Sequence, residues 1–447
     1  MALPDLIEIV PLAQPARAEI TVPGSKSITN RALILAALAD GEVTLAGALW
    51  SEDTQIMVEC LQMLGFEIRV ENDSEEFCNR TITVKGLGGK IPNGGTAENP
   101  LELFVGNAGT AARFLSAFVC LGKGVYRLAG IPRMNERPKA ALFQALRELG
   151  YRVESPNDKL PATIYGSGPK ARTKCSVNIE ESSQFASALL LCAKVGGWEI
   201  EVVGEDSVER LGESLYITLT KGLICGFENF KNFTYPIDPD DSSSSYFKAA
   251  GWLLAPISSD SIQTVKVKEP VEARLPQPDV MFSGYFRWPN HIGWPDAKTK
   301  VSEISRSRDL ADSIMTAITI TPFANRSMKF TDLGRLRVQE TERVVALRTE
   351  LTKCGAKVVE EGDTLTVWPS PLHGAEIETY NDHRMAMCFA ILGLKVPGIK
   401  IKNPACVKKT FPNFFQKLAT PPPKGLGATI LDAKTGKKLE LNELFAD

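Results

Sequence analysis

Leu61-Gln-Met-Leu-Gly65-Phe-Glu-Ile-Arg-Val70 is a helix-like stretch that ends at a glycine and continues as an alternating strand. Glycine suits this junction because the chain must enter the left-handed region before the strand begins. The pattern recurs along the chain, closely at two sites and loosely at two others. Its glycines are Gly65, Gly150, Gly226, Gly284 and Gly355. One such ending is common in any doubly wound sheet, but repeated endings favour tandem α/β units.

The composition is typical of a globular protein, with 44% hydrophobic and 23% charged residues. A net charge of −2 gives no general attraction to nucleic acid or to an anionic membrane. No apolar run is long enough to span a bilayer, and residues 1–8 resemble neither a signal peptide nor a transit peptide. We therefore expect a cytoplasmic protein with no nucleic-acid or membrane partner.

The nine cysteines are scattered, and no two have the spacing Cys-x-x-Cys. Most lie in apolar runs and are typical of small core residues in a reducing compartment. The chain has only three histidines. The sequence therefore predicts neither a disulfide framework nor a metal site.

The segment from Thr21 to Arg31 predicts an anion site. A Pro-Gly turn leads into Ser25-Lys26-Ser27, and the apolar run that follows predicts a buried helix. Such a turn directs backbone N–H groups, two hydroxyls and one ammonium to the positive end of a helix dipole, where phosphate binds. Arg31, about one turn later, adds a forked donor. A capped helix with solvated basic residues uses the same residue types and stays open here.

Three further segments place small polar groups and arginines where a loop enters a helix. Each segment alone is equally consistent with a tight turn, a helix cap or a solvated ion pair. The residues of interest are Gly106, Asn107, Gly109, Thr110 and Arg113 in the first segment, Arg133 and Arg137 in the second, and Ser182, Ser183 and Gln184 in the third.

The last third of the chain adds carboxylates to the cations. Asp312 begins an apolar run, and Glu340 stands three residues before Arg343, where an ordinary ion pair is the alternative. If the cations of these segments converge, they can hold substrates with several negative charges, and both carboxylates are candidates for proton transfer. The cations are Lys26, Arg31, Arg113, Arg137, Arg343, Arg384 and Lys409.

Together these segments resemble one family, the EPSP synthases (3-phosphoshikimate 1-carboxyvinyltransferases). The motifs occur in the family's order over most of the chain. They are P-G-S-K-S-I-T-N-R-A-L from Pro23, G-N-A-G-T-A from Gly106, P-R-M-N-E-R-P from Pro132, S-S-Q-F from Ser182, R-V-Q-E-T-E-R from Arg337, N-D-H-R-M-A-M from Asn381 and K-T-F-P from Lys409.

The resemblance implies an α/β fold: a two-domain inside-out α/β barrel in which each domain has three βαβαββ repeats. Domain I is expected at residues 1–24 plus 237–447, with both termini, and domain II at residues 25–236, with the active site in the interdomain cleft. The implied enzyme is a monomer without metal or organic cofactor, and glyphosate inhibits it.

The implied reaction belongs to the shikimate pathway, which leads to chorismate and the aromatic amino acids. The carboxyvinyl group of phosphoenolpyruvate passes to the 5-hydroxyl of shikimate 3-phosphate through a tetrahedral intermediate, and phosphate leaves. Two like-charged substrates require a fixed array of cations to hold them together.

The resemblance also implies roles for individual residues. Asp312 is similar to the carboxylate that takes the 5-hydroxyl proton, and Glu340 with Lys26 to the groups that deliver a proton to the vinyl carbon. The implied contacts to shikimate 3-phosphate are Lys26, Ser27, Arg31, Ser182, Ser183, Asp312 and Gln339. The implied contacts to phosphoenolpyruvate are Lys26, Asn107, Gly109, Thr110, Arg137, Gln184, Arg343, Arg384 and Lys409.

Gln339 departs from the family pattern, because a lysine usually stands there and helps to bind the substrate phosphate. We expect weaker binding of shikimate 3-phosphate, or compensation by Arg335 or Arg337. The segment 270–305 matches the family poorly, and we assign no site residues to it. Its Pro- and Trp-rich part, 276–300, is expected to be irregular surface structure.

Phe114 departs as well, because a proline usually follows the arginine of the glycine loop. The larger ring is expected to shift Gly109 and Thr110 slightly. Since glyphosate competes with phosphoenolpyruvate in this family, we hypothesise that Phe114 lowers the sensitivity to glyphosate.

Two alternatives compete with this interpretation. UDP-N-acetylglucosamine carboxyvinyltransferase shares the fold and the donor, but its catalytic cysteine should fall near 132–138, where this chain has none. A non-catalytic anion-binding or assembly protein gains some support from Gln339. It has no need of both a base and an acid, such as Asp312 and Glu340.

Overall fold

The computed structural model describes residues 3–13, 17–204, 214–227, 231–255, 265–268, 275–286 and 303–446. The chain divides into two compact units. The terminal unit comprises Met1–Pro23, Pro239–Ala273 and Pro278–Asp447, and the central unit Gly24–Asp238 and Arg274–Gln277. The division expected from the sequence lies within two residues of both main boundaries.

The helices and strands of the described residues follow in chain order. The strands are β1 Leu6–Ile9, β2 Ala18–Ile20, β3 Asp40–Leu49, β4 Ile68–Asn72, β5 Asn79–Leu87, β6 Leu101–Phe104, β7 Lys123–Ala129, β8 Arg152–Glu154, β9 Ala162–Ser167, β10 Thr173–Asn178, β11 Trp198–Val203, β12 Phe233–Pro236, β13 Val265–Val267, β14 Glu303–Ser305, β15 Met328–Thr331, β16 Val358–Glu361, β17 Thr364–Val367, β18 Glu376–Ile377, β19 Ile399–Lys402 and β20 Ile430–Asp432. The helices are α1 Lys26–Leu38, α2 Glu52–Met63, α3 Gly109–Phe118, α4 Pro132–Glu136, α5 Ala140–Glu148, α6 Gln184–Gly196, α7 Leu215–Phe227, α8 Asp241–Leu254, α9 Phe282–Tyr285, α10 Ile314–Ile320, α11 Gly334–Arg337, α12 Arg343–Lys353, α13 His383–Gly393 and α14 Phe414–Ala419.

Three sheets form the central unit. In the sheet β6-β7-β9-β8 the first two strands are parallel and the others antiparallel, so residues 101–167 form one contiguous βαβαββ repeat. The sheet β12-β3-β5-β4 has the same order, but its first strand comes from the far end of the unit. The third repeat contributes, among the described residues, the parallel pair β10 and β11.

The terminal unit repeats this arrangement. Its contiguous βαβαββ repeat spans residues 303–367, with the sheet order β14-β15-β17-β16. In the sheet β18-β19-β1-β20 the fourth strand of the repeat is β1, from the start of the chain. A parallel pair, β2 and β13, again contributes the third repeat within the described residues. Within the described residues, each compact unit therefore shows two four-stranded sheets of the predicted βαβαββ order and a parallel strand pair from a third repeat.

The predicted glycine junctions are confirmed where a strand follows the helix directly. Gly65, Gly150 and Gly355 have φ of +95°, +86° and +91°, in the left-handed region that favours glycine. The prediction is wrong at Gly226 and Gly284, which lie inside α7 and α9. Neither helix ends at its glycine, so the chain needs no left-handed residue there.

Each unit has its own hydrophobic core. Every residue of α1 from Ile28 to Leu38 is buried, which confirms the buried helix predicted after Lys26. The described part of the segment 276–300 differs from expectation, since Phe282 and Phe286 are fully buried with stacked rings 4.6 Å apart. The remainder of that segment lies outside the described residues. None of the described helices combines the length and apolar character that crossing a membrane requires.

Candidate active site

The first residue of α1 is Lys26, preceded by Ser25 in an extended conformation. Lys26 Nζ lies 3.1 Å from Asp53 Oδ2 on α2, and the lysine side chain is 20% exposed whereas that of Asp53 is 2% exposed. The ammonium is therefore fixed on one side by a buried carboxylate. Its exposed side remains accessible to an anion.

Arg31 is the most fully engaged of the predicted cations in the central unit. Its Nε donates to Thr220 Oγ1 at 2.8 Å, its Nη1 to Ser27 Oγ at 3.0 Å, and its Nη2 to Ser187 Oγ at 3.1 Å. Burial lowers the pKa of Arg31 to about 10, and a smaller effect of Tyr216 opposes this. Arg31 thus joins α1 to α6 and α7, and its partners leave few donors for a ligand.

Two guanidinium groups pack against the bare Cα of Gly109, the first residue of α3. A Cβ placed there would lie 2.7 Å from Arg137 Nη1 and 2.9 Å from Arg113 Nη1, closer than real Cβ atoms approach. Gly106, which opens the turn, has φ of +49°. The glycine loop therefore lets both arginines approach the start of the helix.

Neutral groups complete this side of the central unit. Arg113 Nη1 donates to Gln184 Oε1 at 3.0 Å, and Gln184 Nε2 donates to Thr110 Oγ1 at 3.4 Å. Gln184 begins α6, and the hydroxyl of Ser183 before it makes no capping hydrogen bond. The structure thus brings Gly109, Thr110, Arg137 and Gln184 together; Asn107 lies in the turn before α3, and Ser182 before α6.

In the terminal unit an unusual backbone presents Asp312. A five-residue π turn, Arg306–Leu310, is followed by Ala311 with φ of +43°, and a 3-10 turn contains Asp312. Non-glycine residues in the left-handed region are costly, and such strain concentrates at functional sites. The observed geometry therefore marks Asp312 independently of its motif.

Two arginines hold the carboxylate of Asp312. Arg306 Nη2 lies 2.7 Å from Oδ1, and Arg384 Nη2 lies 3.4 Å from Oδ2. Burial alone would raise the pKa of Asp312, but Arg384, Arg306 and Arg343 together outweigh it and lower the pKa below its usual range. Asp312 is therefore ionised throughout the physiological pH range.

A second group of ion pairs surrounds Arg343, which is 1% exposed. Its Nε lies 2.7 Å from Asp382 Oδ2, and its Nη2 lies 2.8 Å from Glu340 Oε2. Arg343 also donates to Gln339 Oε1, and Lys409 Nζ lies 3.4 Å from Glu340 Oε1. The ion pair between Glu340 and Arg343, which the sequence left open as the alternative to a catalytic role, is present, and Glu340 precedes the start of α12.

Arg337 is one of the two arginines expected to compensate for Gln339 in binding the substrate phosphate. The guanidinium of Arg337 contacts Glu342, Glu360 and Asp363 at 2.7–2.8 Å. This arginine is thus committed to three carboxylates and offers little to a substrate phosphate.

Asp279 is a residue that sequence reasoning missed. Its Oδ1 accepts from the backbone N–H of Ser313 at 2.6 Å, and its Oδ2 accepts from Ser242 Oγ at 2.5 Å. Burial raises the pKa of Asp279 to about 7, with Arg384 acting against this and Asp312 adding to it. Asp279 therefore fixes the backbone of Ser313, next to Asp312, from a segment to which the sequence assigned no site residue.

Other residues of the two clusters were also missed. Asp382 lies within a motif of the sequence, and its place before Arg384 at the start of α13 was a usable signal. Arg306 and Lys139 gave no local signal, because a basic residue before a helix is usually solvated. Within the described residues, no group of three or more His, Cys, Asp or Glu side chains could hold a metal ion.

Comparisons with known proteins identify the family of this chain. Residues 12–418 match the family model described as EPSP synthase (3-phosphoshikimate 1-carboxyvinyltransferase). A 3-phosphoshikimate 1-carboxyvinyltransferase of Nostoc punctiforme is 36% identical over 92% of this chain and 98% of its own. One of Psychromonas ingrahamii is 37% identical over 90% of this chain and 96% of its own.

Solved structures show the same fold. An EPSP synthase of Acinetobacter baumannii superposes with a TM-score of 0.69 and 20% identity, over 95% of this chain and 99% of that one. An enolpyruvyl transferase of Streptomyces tendae superposes with a TM-score of 0.66 and 16% identity, over 98% of this chain and 100% of that one. The predicted two-domain α/β fold is confirmed, and the chain belongs to the EPSP synthase (3-phosphoshikimate 1-carboxyvinyltransferase) family.

Proposed function

We propose that this chain transfers the carboxyvinyl group of phosphoenolpyruvate to the 5-hydroxyl of shikimate 3-phosphate and releases phosphate. The main support is that this chain belongs to the family and also has both kinds of side-chain group that the reaction needs. Carboxylates fixed by cations, Asp312 and Glu340, lie in the terminal unit. In the central unit Arg137 is a buried cation, and two of its nitrogens have no hydrogen-bond partner among the described residues.

Asp312 is proposed to accept the proton of the 5-hydroxyl. Arg306 and Arg384 keep it ionised, so it is always able to accept a hydrogen bond from an alcohol. The same pairing makes it a weak base. Proton transfer therefore accompanies formation of the C–O bond, when the alcohol becomes acidic, instead of preceding it.

The proton for the vinyl carbon is proposed to come through Glu340 and Lys26. Protonation at this carbon lets the alcohol oxygen bond to the neighbouring carbon, which gives the tetrahedral intermediate. Loss of a proton and of phosphate then restores the double bond. Arg343, Arg384 and Lys409 are proposed to stabilise the anionic groups in each state, because fixed cations need no reorganisation as charge shifts.

Binding of the two substrates is proposed to use the helix starts of the central unit. Lys26 and Ser27 at α1 and Ser182 and Ser183 at α6 bind shikimate 3-phosphate, with Gln339 from the terminal unit. Arg31, most of whose donors are engaged, contributes chiefly by holding Ser27. The α6 end offers backbone N–H groups in addition to its hydroxyls. Asn107, Gly109, Thr110, Arg137 and Gln184 bind phosphoenolpyruvate.

Release of phosphate tests the proposal. We expect release from phosphoenolpyruvate with shikimate 3-phosphate, and none with UDP-N-acetylglucosamine or without an acceptor. Asp312→Asn should lower the rate by at least about 100-fold, whereas Asp363→Asn, at an exposed pair with Arg337, should not. A pure, folded protein that leaves both phosphorylated reactants unchanged would refute the proposed activity.

Glyphosate is proposed to compete with phosphoenolpyruvate, with a sensitivity lowered by Phe114. This side chain is fully buried, and its ring centroid lies 5.2 Å from the guanidinium carbon of Arg31. Phe114→Leu removes the ring and preserves α3, whereas Phe114→Pro also removes a helical N–H. We expect both variants to be inhibited more strongly, and unchanged inhibition constants would contradict this. That the enzyme is a cytoplasmic monomer stays a prediction, which sedimentation and cell fractionation can test.

A further inference from the structure

Lys139 is a buried cation with little to compensate for its lost hydration. It caps the N-terminus of α5, and its side chain is fully buried. An ammonium has three donors, but within the described residues the hydrogen-bond partner of Nζ is the thioether sulfur of Met134, 3.8 Å away. A thioether is a weak acceptor, so the ammonium form is poorly stabilised.

The charged groups that face Lys139 have the same sign. They are the guanidinium of Arg113, from α3, and that of Arg137, which follows α4. Arg137 is 6% exposed, and its Nε and Nη1 are buried without a hydrogen-bond partner in the described part of the chain. Both guanidinium groups converge on Gly109. Three basic side chains thus share one buried region, and neither Lys139 nor Arg137 has a carboxylate partner among the described residues.

A buried group without a counter-charge usually loses its charge. Arginine cannot lose its proton in a protein, but lysine can. Burial lowers the pKa of Lys139 well below its usual value, and Arg113 and Arg137 lower it further. Of the three, Lys139 is therefore the group that gives up a proton while the site is empty.

We propose that Lys139 is an additional anion-binding residue, which is a neutral amine in the empty site and takes up one proton when a phosphate-bearing anion binds beside Arg137. The identity of that anion as phosphoenolpyruvate rests on the proposed function. The bound negative charges offset both guanidinium groups and favour the ammonium form. The proton comes from solvent and returns to it when the anion leaves, and no other bond changes.

This coupling has a definite sign. Because binding takes up a proton, affinity for the anion falls as pH rises through the range in which Lys139 is neutral in the empty site. A lysine with a purely structural role would change stability on substitution but would not change the number of protons taken up.

Titration calorimetry in two buffers of different ionisation enthalpy measures the proton directly. Inorganic phosphate, and separately phosphoenolpyruvate without acceptor, are added to the full-length protein at one pH near 7.5. We expect the wild type to take up a large fraction of a proton per bound anion, and Lys139→Met, of similar length, to take up almost none and to bind about tenfold more weakly. Lys123→Met, at an exposed position, should behave as the wild type.

Equal proton uptake in the wild type and in Lys139→Met would overturn the proposal, as would binding without uptake or no binding of either anion. Thermal unfolding confirms that the variants fold, and Lys139→Met should be no less stable, because it replaces a buried amine that must give up its proton on folding with an apolar side chain of similar length. Turnover is not needed for this experiment. If the enzyme releases phosphate but binding takes up no proton, the proposed role of Lys139 is refuted and the proposed reaction stands. If the anion binds with proton uptake but there is no turnover, the proposed reaction is refuted and the role of Lys139 stands.

Discussion

Arg343 of the terminal unit and Arg137 of the central unit are both buried guanidinium groups, but their surroundings differ. Arg343 has two carboxylate partners, Asp382 and Glu340. Arg137 has no carboxylate partner within the described residues, and two of its nitrogens are buried without an acceptor. One cation is neutralised by the protein, and the other is left for a ligand.

This difference suggests a division of labour. In the terminal unit the cations orient acids, such as Asp312, that can accept or pass on protons. In the central unit the uncompensated charge of Arg137, and the proton that Lys139 takes up on binding, are proposed to provide affinity for an anion. A buried charge without a partner lowers the free energy of unfolding. The central unit is therefore expected to be less stable than it would be without this charge, and to bind an anion more tightly.

Removing an acid from the terminal unit should have the largest effect. Asp382→Ala leaves Arg343 buried beside Glu340 alone and also removes the cap of α13. We expect the free energy of unfolding to fall by about 3–5 kcal/mol, measured by urea denaturation. As a control, Asp363→Ala breaks an exposed pair of Arg337 and should cost less than about 1 kcal/mol. Equal losses would show that the pairing of Arg343 is not special.

Removing the charge of Arg137 should weaken substrate binding and leave the free energy of unfolding largely unchanged. Arg137→Gln should lower kcat/KM for phosphoenolpyruvate by about 10- to 150-fold, since a charged hydrogen bond contributes about 1.5–3 kcal/mol. The free energy of unfolding should stay the same or rise. Arg133→Gln, which alters a more exposed arginine paired with Glu136, is the matched control. A large loss of stability in Arg137→Gln would mean that the protein itself neutralises this arginine.

Asp279 offers a test by pH. Its pKa of about 7 in the folded protein is above the value of about 3.9 expected in the unfolded chain. The proton is therefore held more tightly in the folded state, and the stability that this group contributes is lost as pH rises from about 4 through 7.

Asp279→Asn should remove this dependence. The free energy of unfolding of the variant relative to the wild type should rise by about 1–3 kcal/mol between pH 5 and pH 8. Urea unfolding at the two pH values measures it. A difference that is the same at both values would show that Asp279 does not titrate in this range.

The smallest effect is expected at the glycine between the two arginines. Gly109→Ala places a Cβ within 3 Å of both guanidinium groups, whose flexible ends can move aside at little cost in stability. We expect the KM for phosphoenolpyruvate to rise about fivefold, equivalent to about 1 kcal/mol. Thermal unfolding should change little. An unchanged KM would indicate that the positions of these arginines do not limit binding.

Local sequence predicted the elements that local forces determine. The helix from Lys26 is confirmed because its turn and apolar run are adjacent in the chain, and Gly65, Gly150 and Gly355 are confirmed because strands follow them directly. At Gly226 the looser copy of the pattern lies inside a helix, because α7 continues to Phe227. A pattern of five residues cannot specify where tertiary packing ends a helix.

Residues of the candidate site that lie within sequence motifs could be predicted. Residues that are distinguished only by their burial in the folded protein could not. Asp312 and Arg343 were found from their motifs, and the structure adds their partners. Lys139 has the sequence context of a solvated residue, and its burial depends on α3 and α4, which precede it in the chain. Asp279 lies in a segment without clear periodicity, and its role arises from contacts with Ser242 and Ser313, more than 30 residues away.

The sheet that contains β1 has a consequence for biosynthesis. β1 pairs with β19 and β20. The partner of Leu6 is Lys402, about 400 residues later, so the hydrogen bonds of β1 cannot form until that part of the chain has been synthesised. The main segment of the central unit, Gly24–Asp238, leaves the ribosome as one continuous piece. Since domains fold as units during synthesis, the central unit should acquire its structure while the first strand of the chain is still unpaired. Chaperones that bind exposed strands would therefore meet β1 until β19 and β20 have been synthesised.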